Sequence, residues 1–171
     1  MKDDISDSDR RRRFDRVVVT FHRDMYAYAV WLSRDKAIAE DVVQEALLRA
    51  WRSLDSLRED SAAKPWILTI VRRENARYFA RKRLQTVDID NLSPAQSALL
   101  AKTDGTEIDD VRQAIFELDD QHREALVLRV LIGNSTQEIA EIMGVSCGAV
   151  LTRLHRARKR LKAMVDQDAA Q

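Results

Sequence analysis

Only four glycines and two prolines punctuate the 171 residues. Hairpins need such breakers at their turns, so a chain this poor in them is expected to be all-α. Apolar residues at 45% give a globular chain enough to bury, and 33% charged residues can supply the outer faces of its helices. This length suits one ordinary domain or two small ones. The charge pattern favours two. Helical periodicity runs over residues 14–83 and returns over 111–165. Between them, residues 84–110 carry six acids (Asp88, Asp90, Asp104, Glu107, Asp109, Asp110) against one base, Lys102. That stretch reads as a flexible, solvated linker. Two small helical domains joined by an acidic linker are therefore expected.

The net charge of +1 conceals this uneven distribution. A single cysteine, Cys147, excludes an internal disulfide and a cysteine zinc cluster, and fits a reducing cytosol. No apolar run approaches about 18 residues, so no membrane insertion is expected. The opening "MKDDISDSDRRRRF" lacks the apolar core of a signal peptide. No phosphate-cradling glycine loop, paired catalytic carboxylates or nucleophile with a base partner is apparent. The expectation is a protein that is not an enzyme and needs no cofactor or metal. His155 has no companion ligands near it in sequence.

In the second half, Val111, Ala114, Ile115 and Leu118 fall on one helical stripe, and Ala125, Leu126, Leu128 and Leu131 on another. Ser135 followed by Glu138 has the form of a capping box. The helix it starts would bury Ile139, Ala140 and Met143, and Gly144 suits a left-handed C-terminal cap. Ser146 can cap a last helix whose apolar stripe is Val150, Leu154, Ala157, Leu161 and Met164. From Ser146 to Lys162 there are six bases and no acids. A short helix, a tight turn and a basic second helix describe a helix-turn-helix, whose second helix can enter the major groove. The alternative is a helical hairpin with a solvated basic face. Such a face ordinarily mixes signs to gain i,i+4 pairs.

In the first half, "AIAEDVVQEALLRAWRSL" places Ile38, Val42, Ala46, Leu47, Ala50, Trp51 and Leu54 on a broad apolar stripe. Asp41, Gln44, Glu45, Leu48 and Arg52 fall on the other side. A leucine among charges is either a contact for a partner protein or an incidental surface leucine. Downstream, Pro65 fits a helix's first turn, and Ile67, Ile70, Val71 and Tyr78 can pack inward. Arg72, Arg73, Arg77, Arg81, Lys82 and Arg83 there oppose one acid, Glu74. Trp66, Tyr78 and Phe79 sit among these bases. Cations with flat rings suit single-stranded nucleic acid; the alternative is that the rings belong to the core.

Three stretches, "AEDVVQEALLRAW", "LDDQHREALVLRV" and "STQEIAEIMGVSCGAVLTRLHRARKRL", resemble the extracytoplasmic-function group of bacterial sigma factors, promoter-specificity subunits of RNA polymerase. The first is similar to the family's second region and the other two to its fourth. The resemblance implies that Asp41, Gln44, Glu45, Leu48 and Arg52 dock on bacterial core RNA polymerase. It implies that residues 60–64 and the following helix open the minus-ten element of promoter DNA, through Ser61, Ala63, Lys64, Trp66, Arg73, Arg77 and Arg81. It also implies that the last helix reads the minus-thirty-five element through Ser146, Ala149, Leu151, Thr152, Arg153 and Arg156. The chain departs from the family at Arg73 and Arg77, where asparagine or aspartate is common, and at Ala149 and Leu151, where threonine and lysine are. A different base, or a phosphate, is then expected at the arginines, and a thymine methyl at Leu151. An anti-sigma factor is an expected partner. The acidic linker would mimic nucleic acid in a basic channel of the polymerase. The competing readings are a free-standing helix-turn-helix regulator and a sigma mimic that sequesters an anti-sigma factor.

Overall fold

The computed structural model describes residues 2–86 and 107–168, all of the regular structure among them being helical. They form two compact units, one from each half of the chain.

The first unit packs three helices against one another: α1 (Lys2–Ser33), α2 (Lys36–Arg52) and α3 (Ala63–Thr86). Two short 3-10 turns, Leu54–Ser56 and Asp60–Ala62, lie between α2 and α3. Asp35 starts α2, its Oδ1 accepting the Ile38 amide proton at 3.0 Å. The core takes Met25, Tyr28 and Ala29 from α1. From α2 it takes Ile38, Val42, Ala46 and Ala50, together with Ala39 and Val43, and from α3 Ile67, Leu68, Ile70 and Val71. Leu47 and Trp51, placed on the apolar stripe of α2, are only half-buried, because Ala39 and Val43 turn the buried face toward themselves. Tyr78 is likewise half-buried and meets Phe79 edge to face.

Helix α1 begins well ahead of Phe14, where the apolar periodicity begins. Tertiary contacts explain the extension: the Arg10 guanidinium lies 4.8 Å from the centre of the Trp51 ring and donates to the Trp51 carbonyl at 2.9 Å. Phe14 meets the same ring edge to face.

The second unit contains α4 (Glu107–Phe116), α5 (Asp120–Val130), α6 (Thr136–Met143) and α7 (Cys147–Asp168). Its core joins Leu126, Val127 and Leu128 of α5 to Ile139, Ile142 and Met143 of α6 and Val150, Leu154 and Ala157 of α7. Three stripe assignments are corrected. Val111 is exposed, and Leu118 is buried from the link after α4 rather than from the helix. Leu131 is also exposed; α5 ends before it, and the chain turns Ile132 inward instead.

The linker expectation is narrowed at both ends. Residues 84–86 complete α3 and 107–110 open α4. Acids are common in a helix's first turn, so an acid-rich stretch does not separate linker from helix start. Residues 87–106, with most of the proposed acidic linker, lie outside the described residues.

The start of α6 and the turn between α6 and α7 follow the expected chemistry. Ser135 Oγ accepts the Glu138 amide proton at 3.2 Å, and the Glu138 carboxylate accepts the Ser135 amide proton at 2.6 Å, completing the capping box. Gly144 adopts φ +65°, and the Val145 amide closes on the Ala140 carbonyl at 3.0 Å. A Cβ at Gly144 would meet nothing within 4 Å, so only the left-handed backbone resists a side chain there. Gly144→Ala should therefore destabilise the second unit by about 1 kcal/mol, with no change in packing. Urea unfolding followed by circular dichroism measures this; a neutral result would mean the turn relaxes out of the left-handed region.

Candidate nucleic-acid interface

On α2, Asp41, Gln44, Glu45, Leu48 and Arg52 are all exposed. At about 100° per residue they form one stripe opposite the buried face. Leu48, 53% exposed, sits within it.

The strand-opening candidates divide. Ser61 is exposed, in the middle of the 3-10 turn that leads into α3. Ala63 is 2% exposed and packs with Val17, Leu54 and Leu57. Its methyl cannot meet DNA in this arrangement, which corrects its place among the contacts. Lys64 is turned toward α1, its Nζ 3.3 Å from Asp24 Oδ2. Trp66 is half-buried against the same cluster and donates from Nε1 to Ser56 Oγ at 3.1 Å. It belongs more to the core than to a stacking platform. Arg73, Arg77 and Arg81 recur every four residues along α3 and are all exposed. Arg77 is tied to Glu74, which also accepts from Arg49 Nε of α2 at 3.3 Å.

Glu74 is the residue that sequence pattern missed. Its side chain is 5% exposed and bridges two arginines, Arg49 and Arg77, on different helices. Removing its charge would release both cations. The available signal was a lone acid within a run of bases.

On α7, Ser146 Oγ accepts the Ala149 amide proton at 3.2 Å, so its side chain serves the helix start. Thr152 is exposed and its hydroxyl donates to the Gly148 carbonyl at 3.0 Å. Arg156 is exposed and Arg153 half-buried. Ala149, Thr152, Arg153 and Arg156 share one side of the helix, with spacings of three and four residues. Leu151 does not join them: at about 100° per residue it stands about 200° round from Ala149. It is exposed on the opposite flank, so a groove contact by Leu151 would be made separately from the Arg153 stripe. Cys147 Sγ lies 3.3 Å from Gln137 Oε1, joining the starts of α6 and α7. The described residues contain no cluster of three metal-ligating side chains. No described helix is long and apolar enough to cross a membrane.

An all-helical unit with a polar, leucine-bearing stripe is thus followed by a unit ending in a basic helix-turn-helix. Residues 17–85 match Sigma-70 region 2 and residues 108–161 match Sigma-70 region 4. The ECF RNA polymerase sigma factor EcfG of Rhodopseudomonas palustris is 32% identical over 85% of this chain and 81% of its own length. The ECF factor SigM of Bacillus subtilis is 31% identical over 90% of this chain and 95% of its own length. Among solved structures, the sigma factor RpoE in complex with the anti-sigma factor NepR, from Bartonella quintana, superposes with a TM-score of 0.73. It is 28% identical, over 90% of this chain and 96% of that one. CnrH in complex with the cytosolic domain of CnrY gives 0.64 at 25% identity, over 92% and 90%. The chain belongs to the ECF RNA polymerase sigma factors. It is an alternative sigma factor that directs promoter-specific transcription.

Proposed function

We propose that the exposed stripe Asp41, Gln44, Glu45, Leu48 and Arg52 docks on core RNA polymerase, and that α3 and α7 then engage the two promoter elements. The exposure of Leu48 within a charged stripe carries this reading, because an apolar side chain ringed by polar ones suits the centre of an interface. A free-standing regulator would instead use such a face for dimerisation, and would then bind its sites without polymerase. Ser61 and the exposed arginines Arg73 and Arg81 are the minus-ten contacts on this reading. Arg77 joins them while anchored to Glu74. Ala149, Thr152, Arg153 and Arg156 read the minus-thirty-five element, with Arg supplying bidentate contact to guanine or a grip on phosphate.

Two weak DNA readers in one chain reinforce each other when the polymerase holds them at the right separation. Tethering raises the local concentration of the second once the first has bound. The protein works by binding rather than catalysis, in the cytoplasm, under an anti-sigma factor. The complex of the related RpoE with NepR supports that partner.

The test is transcription in vitro with bacterial core polymerase over a genomic library. The chain should direct initiation from a restricted promoter set, whereas a free-standing regulator would bind its sites without polymerase. Arg153→Ala should weaken promoter binding by the holoenzyme by about five- to tenfold at unchanged core affinity, measured by anisotropy of labelled promoter DNA. Equal loss of core binding would refute this division of labour.

A further inference from the structure

The two charged side chains of residues 60–64 are both held by α1, with opposite polarity at the two ends. Arg13 Nε donates to Asp60 Oδ1 at 2.8 Å, and Arg13 Nη2 donates to the Leu57 carbonyl at 2.7 Å. Arg16 adds a looser contact to the same carboxylate at 3.8 Å. At the other end, the Lys64 ammonium lies on Asp24. Between these pins Val17 packs on Leu54, Leu57 and Ala63, flanked by Phe14, Phe21 and Trp66. Arg13 and Asp24 are about three helical turns apart and fall within about 20° of each other around α1. One stripe of one helix therefore carries a cation, an apolar patch and an anion, matched to the acid, apolar patch and base beneath it. A slip of the loop would leave both charges without their partners, and only a reversal of its direction would set like against like. Ser61 and Ala62, between the pins, remain exposed.

We propose that Arg13 and Asp24 are positioning residues for base capture: they do not touch DNA, but fix the crest at Ser61 in the geometry that receives an unpaired promoter base. This rests on the reading of residues 60–64 as the minus-ten loop. Lys64 accordingly holds the loop rather than gripping the strand. A site held within about 0.5 Å by its supporting contacts loses both rate and selectivity when those contacts are removed. Ordering the crest in advance also lowers the cost of binding. The side chain of Arg13 is 28% exposed and that of Asp60 63%, so the better-shielded bond to the Leu57 carbonyl matters more than the ion pair.

The experiment uses holoenzyme reconstituted with the full chain and a promoter fragment selected in the transcription assay. The fragment carries 2-aminopurine beside the unpaired position and each of the four bases at it. Arg13→Met should slow opening about tenfold, the equivalent of one charge-assisted hydrogen bond. It should also compress the spread of rates between the four bases, while core affinity stays unchanged. A structural role alone would not move base preference. The exchange Arg13→Asp with Asp60→Arg should restore part of that preference. Ser61→Trp, at the crest, tests the loop itself. If it leaves opening unchanged, the minus-ten reading fails and the positioning role with it. If it slows opening while folded Arg13→Met retains wild-type rate and base preference, only the positioning role is overturned. Should Arg13→Met fail to fold, Arg13→Lys takes its place. It keeps the charge but gives up the second bond, and wild-type opening with intact base preference in that variant overturns the proposal equally.

Discussion

Leu48→Asp should cut the affinity of the chain for core polymerase by roughly 30- to 1,000-fold, the equivalent of about 2–4 kcal/mol at an interface anchor. The same change should alter folding stability by no more than about 1 kcal/mol. The two effects separate because of where Leu48 stands. It is half-exposed on α2 and no member of the core, so its replacement opens no cavity. Asp costs a helix interior about half a kcal/mol. Glu45, three residues before it, repels the new charge, while Arg52, four residues after it, attracts it. Within a docked interface a carboxylate would be stripped of water with no assured partner, which is the more expensive event. The measurement pairs core titration by fluorescence anisotropy with a thermal melt by circular dichroism. Wild-type core affinity in the folded variant would remove Leu48 from the docking face.

The elements of this fold were legible where one local rule decided the outcome. The capping box at Ser135 and Glu138, the left-handed Gly144 and the α7 stripe from Val150 to Leu161 each depend on residues within a few positions of one another. Sequence reading was weaker wherever a long-range contact chose between two locally allowed states. The arginines at the front of α1 carry no apolar periodicity, yet the helix continues through them. Arg10 is held there by Trp51, 41 residues away, and Arg13 by the Leu57 carbonyl and Asp60. The same limit governed the candidate site. The stripe on α2 could be placed because helical spacing fixes which residues share a face. Whether an arginine is free or held depends on acids elsewhere in the chain: Arg77 is held by Glu74 and Arg13 by Asp60. The family resemblance alone, with no local rule behind it, places Ala63 among the DNA contacts, whereas its methyl packs with Val17 and Leu57.

Arg123→Met should destabilise the second unit by about 2–4 kcal/mol and leave the first unchanged. Arg123 is 5% exposed. From α5 its Nη1 donates to the Leu118 carbonyl at 3.0 Å and the Phe116 carbonyl at 3.3 Å, and its Nη2 meets the Asp120 carboxylate. Phe116 is the last residue of α4, where helix carbonyls lack intrahelical partners and the dipole favours a cation. The guanidinium thus joins α5 to the end of α4 and supports the turn that presents Leu118 to Leu126 and Ala157. Methionine keeps a long side chain and good helix propensity but donates nothing, leaving the buried Leu118 carbonyl short of a partner at about 1–3 kcal/mol. Asp120 contributes less, because its side chain is 87% exposed, and Asp120→Ala should cost under about 1 kcal/mol. All three tryptophans, Trp31, Trp51 and Trp66, lie in the first unit. Tryptophan fluorescence therefore follows that unit alone, while far-ultraviolet circular dichroism follows both. In Arg123→Met the dichroism melt should acquire an early phase, lower by on the order of 10 °C or more, with the fluorescence melt unmoved. Promoter binding should be lost over that early phase while core binding persists. Two melts that shift together would mean that the two units unfold as one, and a dichroism melt matching wild type would mean that water satisfies the carbonyls.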